Sequence, residues 1–134
     1  MPQEEITMFT ALKNYAVFTG RARRKEFWMF TLLNFLITIC FYVCCYLGAA
    51  IVAMGEDGAF IVVIAYILLT LWNLFALIPG IAVTVRRLHD IGKSGWFFLL
   101  HLIPCGIGTL ILLVFMCMDS QPGDNQYGPN PKGN

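Results

Sequence analysis

Charge is what this chain lacks over most of its length. No Asp, Glu, Lys or Arg occurs from Phe27 to Met54, from Gly58 to Val85, or from Ser94 to Met118. The shortest run, 25 residues, extends about 37 Å as a helix, against a hydrocarbon core of about 30 Å. Buried helices of soluble proteins rarely stay uncharged for so long. The chain is 58% hydrophobic and 13% charged, where soluble domains are nearer about half and about a quarter. These absences exclude an ordinary soluble domain and predict a single all-α membrane domain over residues 1–134. The expected architecture is an integral membrane helical bundle: a short N-terminal interfacial helix followed by three transmembrane helices.

Catalytic signatures are missing too. No G-x-S-x-G elbow or H-E-x-x-H occurs, and no cysteine has a plausible partner base. The segment "RRLHDIGKSGW" (86–96) ends like a P-loop at Gly92, Lys93 and Ser94, but Arg87 stands where the first glycine belongs. His89 and Asp90 suggest a metal-dependent phosphohydrolase, yet the chain has only two histidines, and His101 lies inside the third run. The cysteines at 40, 44, 45, 105 and 117 form no CxxC or Cys/His cluster, so apolar packing is their expected role. No metal or cofactor and no enzymatic activity are expected. A net charge of +1 gives no global field for nucleic acid. No cleaved signal peptide is expected, because the first run starts late, at Phe27, and is too long for a signal core.

What charge there is falls in blocks. The N-terminal segment carries Lys13, Arg21, Arg23, Arg24 and Lys25, whereas the first connection carries only Glu56 and Asp57. The second connection carries Arg86, Arg87 and Lys93, and the tail only Lys132. This alternation predicts a multi-pass membrane protein with its N-terminus cytoplasmic and its C-terminus on the opposite side. Pro104, Gly106 and Gly108 sit at the midpoint of the third run, where they either kink a full span or turn a re-entrant hairpin. The kinked span is the expectation. A hairpin would return the tail to the cytoplasmic side.

Residues 1–22 form the cytoplasmic segment. Within it Met8, Phe9, Ala11, Leu12, Tyr15 and Ala16 share one arc of a predicted Thr7–Ala16 helix, suited to the headgroup layer or to the protein's own cytoplasmic face. "GRARRKEFWMF" and "RRLHDIGKSGWFF" then look alike: basic residues, an acid and an aromatic cluster where an apolar run begins. Arg21, Arg23, Arg24, Glu26, Trp28, Arg86, Arg87, His89, Asp90 and Trp96 are thus the candidate collar, in contact with the lipid bilayer, anionic phospholipid or a membrane protein partner. Glu26 is expected to pair with Arg86 or Arg87, and Asp90 with Arg23 or Arg24, unless the acids are simply solvated.

Inside the runs, Asn34, Asn73 and His101 are the candidate interhelical polar residues. Asn34 and His101 lie at similar depth and are expected to hydrogen-bond across a helix interface. The runs contain no acid, which argues against a proton-coupled transporter. The tail, 119–134, holds three prolines and three glycines and cannot be helix. It is disordered, or else Asn125, Tyr127, Gly128 and Pro129 fold as a turn with the ring packed on the protein.

Together "KNYAVFTGRARRKEFWMF", "RRLHDIGKSGW", "LIPCGIG" and "GDNQYGPNPK" resemble domain-of-unknown-function family 805, the YhaH/YhaI-type small bacterial inner-membrane proteins. The resemblance implies that Arg21, Arg24, Glu26, Trp28, Arg86, Arg87, His89, Asp90, Asn125, Tyr127 and Gly128 are motif positions. It implies an inner-membrane location and assigns no activity. Asn130 stands where relatives often have Asp, and Gln126 where a basic residue is common, which puts any tail salt bridge of the family in doubt. The expected function is a non-enzymatic module that binds a partner protein or anionic lipid through its collar. The alternative is a homo-oligomeric channel or transporter subunit lined by Asn34, Asn73 and His101.

Overall fold

A computed structural model describes residues 5–133. They form α1 (Thr10–Lys13), α2 (Arg24–Ala53), α3 (Ala59–Asp90), two 3₁₀ segments (Gly95–Leu102 and Pro104–Gly106) and α4 (Ile107–Cys117). Among the described residues there is no strand, only an isolated bridge between Asn125 and Gly128. The chain is therefore an all-helical membrane protein. Its 30-residue α2 and 32-residue α3 extend about 45 Å and 48 Å, enough to cross a bilayer.

The residues divide into two compact units. One is Thr31–Leu77, the mid-portions of α2 and α3 with their connection. Gly55 closes α2 in the left-handed conformation (φ 82°), donating to Val52 while Glu56 donates to Ile51. That is the Schellman arrangement, which satisfies carbonyls the helix leaves open. Small residues let the two helices approach: a Cβ on Gly48 would lie 2.8 Å from Val62, and one on Gly58 2.8 Å from Ile51. Most other side chains here, among them Phe35, Tyr42, Phe60 and Leu74, point outward and are exposed, as expected where lipid is the solvent.

The other unit holds the described residues up to Phe30 and those from Ile78 onward. Here α3 ends by the same device. Gly92 (φ 73°) donates to His89, and Lys93 donates to Leu88 at 2.8 Å. Ser94 then caps the next segment by accepting from the Trp96 amide at 3.4 Å. "DIGKS" is thus a helix stop followed by a helix start, which accounts for its glycine and serine without a nucleotide.

Two expectations need correction. The Thr7–Ala16 helix shrinks to Thr10–Lys13. The Thr7 and Thr10 hydroxyls bond nearby amides, and Asn14 Nδ2 donates to the Thr10 carbonyl at 3.2 Å; such local bonds compete with helix. Of the predicted apolar arc Ala11 is buried, whereas Phe9 is exposed.

The third run is broken more sharply than a kinked helix. Its axis bends by 118° at the break, where Cys105 (φ 63°) and Gly106 (φ 72°) reverse the chain in left-handed conformations. The eight-residue 3₁₀ arm and the 11-residue helical arm each reach only about 16 Å. Gly108 is buried at their crossing, and a Cβ there would overlap the Leu100 carbonyl. Both ends of the run lie at the end of α3, since Arg87 donates to the Met118 carbonyl. The tail consequently packs beside the arginine collar, whereas charge counting expects it on the face opposite the N-terminus. A single tail lysine, Lys132, had too little weight in that count to place it.

Candidate functional site

The last turn of α3 supplies Arg86, Arg87, His89 and Asp90. A carboxylate at a helix C-terminus faces the negative end of the backbone dipole and needs compensating charge. Asp90 has it twice. Arg87, three residues earlier on the same face, donates to Oδ2, and Arg21 Nε donates to Oδ1 at 3.0 Å. The Ser120 hydroxyl adds a bond of 2.6 Å. The Asp90 and Arg87 side chains are fully buried, and Arg21 is 1% exposed.

Arg21 is the hub. Its Nη1 donates to the carbonyls of Gly123 (2.8 Å) and Gly128 (3.4 Å), and its Nη2 to those of Asp90 (3.2 Å) and Gln121 (2.6 Å). Arg21 is held in place by its neighbour: the buried Ala22 donates its amide to the Arg86 carbonyl at 3.0 Å. That bond fixes which arginine reaches Asp90, so the pairing of Asp90 with Arg23 or Arg24 is not made. Arg23 Nε instead donates to the Pro131 carbonyl at 2.7 Å. Arg24 donates to the Cys117 carbonyl at 3.2 Å and lies 3.4 Å from Asp119.

Glu26 and Arg86 form a second buried pair at 2.7 Å. The contact is close but lacks hydrogen-bond angles, and the Nε and Nη2 of Arg86 have no partner. Of the two pairs, the Asp90 centre is the better satisfied and should carry more stability.

The tail completes the site. The Gln121 amide donates to the Asp90 carbonyl (2.9 Å) and Asn125 Nδ2 to the His89 carbonyl (2.9 Å), covering carbonyls at the end of α3. Asn125 and Gly128 exchange backbone bonds in a tight turn, with Gly128 at φ 135°. The Tyr127 ring lies flat on His89, 3.9 Å between centroids and 4° between planes. Asp119 bonds Lys132 and the Ser120 amide, and these interactions hold its carboxyl below the ordinary value. At Asn130 no salt bridge forms. Its amide donates to Asp124 and its side chain accepts from the Lys132 amide.

His89 and Asp90 diverge, one toward Gly20 and Tyr127 and the other toward Arg21 and Arg87, so they make no acid–base dyad. No group of three or more His, Cys, Asp or Glu side chains suited to a metal exists among the described residues. The other polar candidates also part company. Asn34 accepts from Trp72 Nε1 at 3.1 Å, Asn73 donates to the Leu69 carbonyl of its own helix, and His101 Nδ1 bonds the Phe98 carbonyl. Sequence reading missed Ser120, Gln121 and Trp72; "WN" at 72–73 was a visible signal, but only for the asparagine.

Arg21→Lys tests the hub. An ammonium is one point of charge and cannot reach acceptors on Asp90, Gln121, Gly123 and Gly128 together. Losing even one charged hydrogen bond removes about 1.5–3 kcal/mol, so protease cleavage beyond Met118 should rise at least about ten-fold. An unchanged cleavage rate would remove Arg21 from this role.

Comparison with known proteins gives one consistent answer. The family model described as "Protein of unknown function (DUF805)" matches residues 15–129. Inner membrane protein YhaH of Escherichia coli (strain K12) is 44% identical over 121 residues, covering 90% of this chain and 92% of that protein. Inner membrane protein YhaI of the same strain is 41% identical over 130 residues, covering 92% of each. No solved structure matches the chain significantly.

Proposed function

The chain belongs to the DUF805 family, and we propose that it is a non-enzymatic inner-membrane module whose collar faces the cytoplasm and binds anionic lipid headgroups. The observation that carries this reading is a division of labour among the basic residues. Arg21 and Arg87 are buried and bound to carboxylate and carbonyl oxygens. Lys13 and Lys25 are exposed, and Lys93 lies 5.6 Å and 5.4 Å from the Phe97 and Phe115 ring centres. Trp28 (38%) and Trp96 (79%) remain exposed beside them. A guanidinium buried against carboxylate and carbonyl oxygens is out of reach of a lipid phosphate, whereas a flexible lysine near an interfacial tryptophan can bring its ammonium to the headgroups.

Orientation follows from the same distribution. All nine Lys and Arg residues lie outside the α2–α3 connection, which carries Glu56 and Asp57. With the tail folded back, the positive-inside tendency puts both termini in the cytoplasm.

Energy transfer from tryptophan to pyrene-labelled phosphatidylglycerol or phosphatidylcholine in nanodiscs tests the reading. Each lysine near an anionic surface contributes about 1 kcal/mol, or roughly five-fold. The preference for phosphatidylglycerol should fall stepwise through Lys13→Gln, Lys25→Gln and Lys93→Gln, while Arg21→Lys leaves it unchanged. An equal preference in the triple lysine variant would reject the proposal.

A further inference from the structure

A cavity of about 370 Å³ lies against the last turns of α3, lined by Ile81, Val85, His89, Ser94, Phe98 and Leu99, with the exposed Trp96 at its edge. Its size is that of a small-molecule site. Apart from its polar end it is aliphatic and aromatic. Gly95 keeps it open beside the imidazole: a Cβ there would lie 2.7 Å from Val85 and 3.5 Å from His89 Nε2.

The polar end has a defined hydrogen-bonding pattern. His89 Nδ1 is 3.1 Å from the Gly20 carbonyl, an acceptor, so Nδ1 carries the proton. Nε2 is then left with its lone pair, and it has no hydrogen-bond partner among the described residues. At neutral pH an ordinary imidazole is mainly uncharged. Stacking on Tyr127 holds the ring in place. Ser94 accepts from the Trp96 amide, which leaves its own proton free to donate. The cavity therefore offers one acceptor and one donor above an apolar trough.

We infer that this cavity binds an uncharged lipid of the diacylglycerol class, its free hydroxyl donating to His89 Nε2 and an ester carbonyl accepting from Ser94. A phosphodiester is acceptor-only and would face the imidazole lone pair with its own. An ammonium headgroup can donate, but Arg21, Arg86 and Arg87 outnumber Glu26 and Asp90 in the adjoining collar and disfavour a further cation. An alcohol beside an ester meets both groups, and its acyl chains suit the trough. This site uses none of Lys13, Lys25 and Lys93, so either proposal can fail alone.

The full chain, with Trp28→Phe and Trp72→Phe so that Trp96 is the only tryptophan, is reconstituted in phosphatidylcholine nanodiscs. Chain-brominated diacylglycerol, phosphatidic acid, phosphatidylethanolamine or phosphatidylcholine is added at matched low mole fraction, and quenching of Trp96 is read. Diacylglycerol should quench several-fold more strongly than the other three. Ile81→Phe, which fills the trough without touching the collar, should bring it to the phosphatidylcholine level. His89→Phe, which retains a ring against Tyr127, should do the same; if that variant does not fold, Ile81→Phe decides. Equal quenching by all four lipids, a preference for phosphatidic acid or phosphatidylethanolamine, or a diacylglycerol preference that survives Ile81→Phe would each overturn the inference.

Discussion

Replacing Asp90 with alanine should destabilise the protein by about 3–5 kcal/mol, the range for removing one partner of a buried ion pair. Asp90 is fully buried between two guanidiniums that are themselves 0% and 1% exposed. Without the carboxylate, Arg21 and Arg87 become neighbouring cations in a site with little water. They keep their carbonyl partners from Gln121, Gly123 and Met118, but those dipoles cannot replace a full negative charge. Asp90→Asn retains shape and part of the hydrogen bonding, so its cost should be smaller. Glu26→Gln should also cost less, because the Glu26–Arg86 pair already leaves donors of Arg86 without partners. Thermal unfolding in detergent, followed by tryptophan fluorescence, gives the ranking. Asp90→Ala within about 1 kcal/mol of wild type, the value of an exposed pair, would show that the Asp90 centre does not hold the fold together.

Gly108→Ala should have an effect of similar size for a steric reason. An added methyl would overlap the Leu100 carbonyl and lie 3.1 Å from Ile103 Cβ. The obstacle is backbone, which cannot rotate away, so the cost should exceed the roughly 1–3 kcal/mol of ordinary overpacking. The hairpin arms would separate, taking α4 and the tail from the collar. Tail cleavage and loss of thermal stability should therefore appear together in this variant. In a straight or gently kinked span, the same substitution would add helix propensity and stabilise by roughly 0.8–1 kcal/mol. The sign of the change separates the two folds.

How much of this was legible in the sequence differs from element to element. The uncharged run 27–54 became α2 at Arg24–Ala53, and 58–85 became the greater part of α3 at Ala59–Asp90. Lipid exposure imposes that pattern locally, residue by residue, so composition reveals it. The third run was ambiguous because Pro104, Gly106 and Gly108 suit both a kink and a hairpin. What selects the hairpin is the close crossing at Gly108 and the tail's bonds to Arg21, contacts between residues far apart in the chain.

The site shows the same division. Arginines and acids on one face were readable from charge spacing, and Glu26 did meet Arg86. The partner of Asp90 was not, because the choice among Arg21, Arg23 and Arg24 depends on one backbone bond, Ala22 to Arg86. The tail was harder still. Its prolines and glycines signal only the absence of helix, while its order comes from carbonyls, which every sequence possesses and no sequence marks.

Side-specific thiol labelling measures directly whether the tail and the arginine collar share one face of the membrane. Lys25→Cys and Gln126→Cys, both at exposed positions, are introduced separately into a chain whose native cysteines have been replaced. Each is treated with a membrane-impermeant maleimide in intact cells and in inverted membrane vesicles. Both cysteines should be protected in the cells and react in the inverted vesicles. Labelling of residue 126 in intact cells while residue 25 stays protected would place the tail across the bilayer and contradict both the fold-back of the tail and the site built on it.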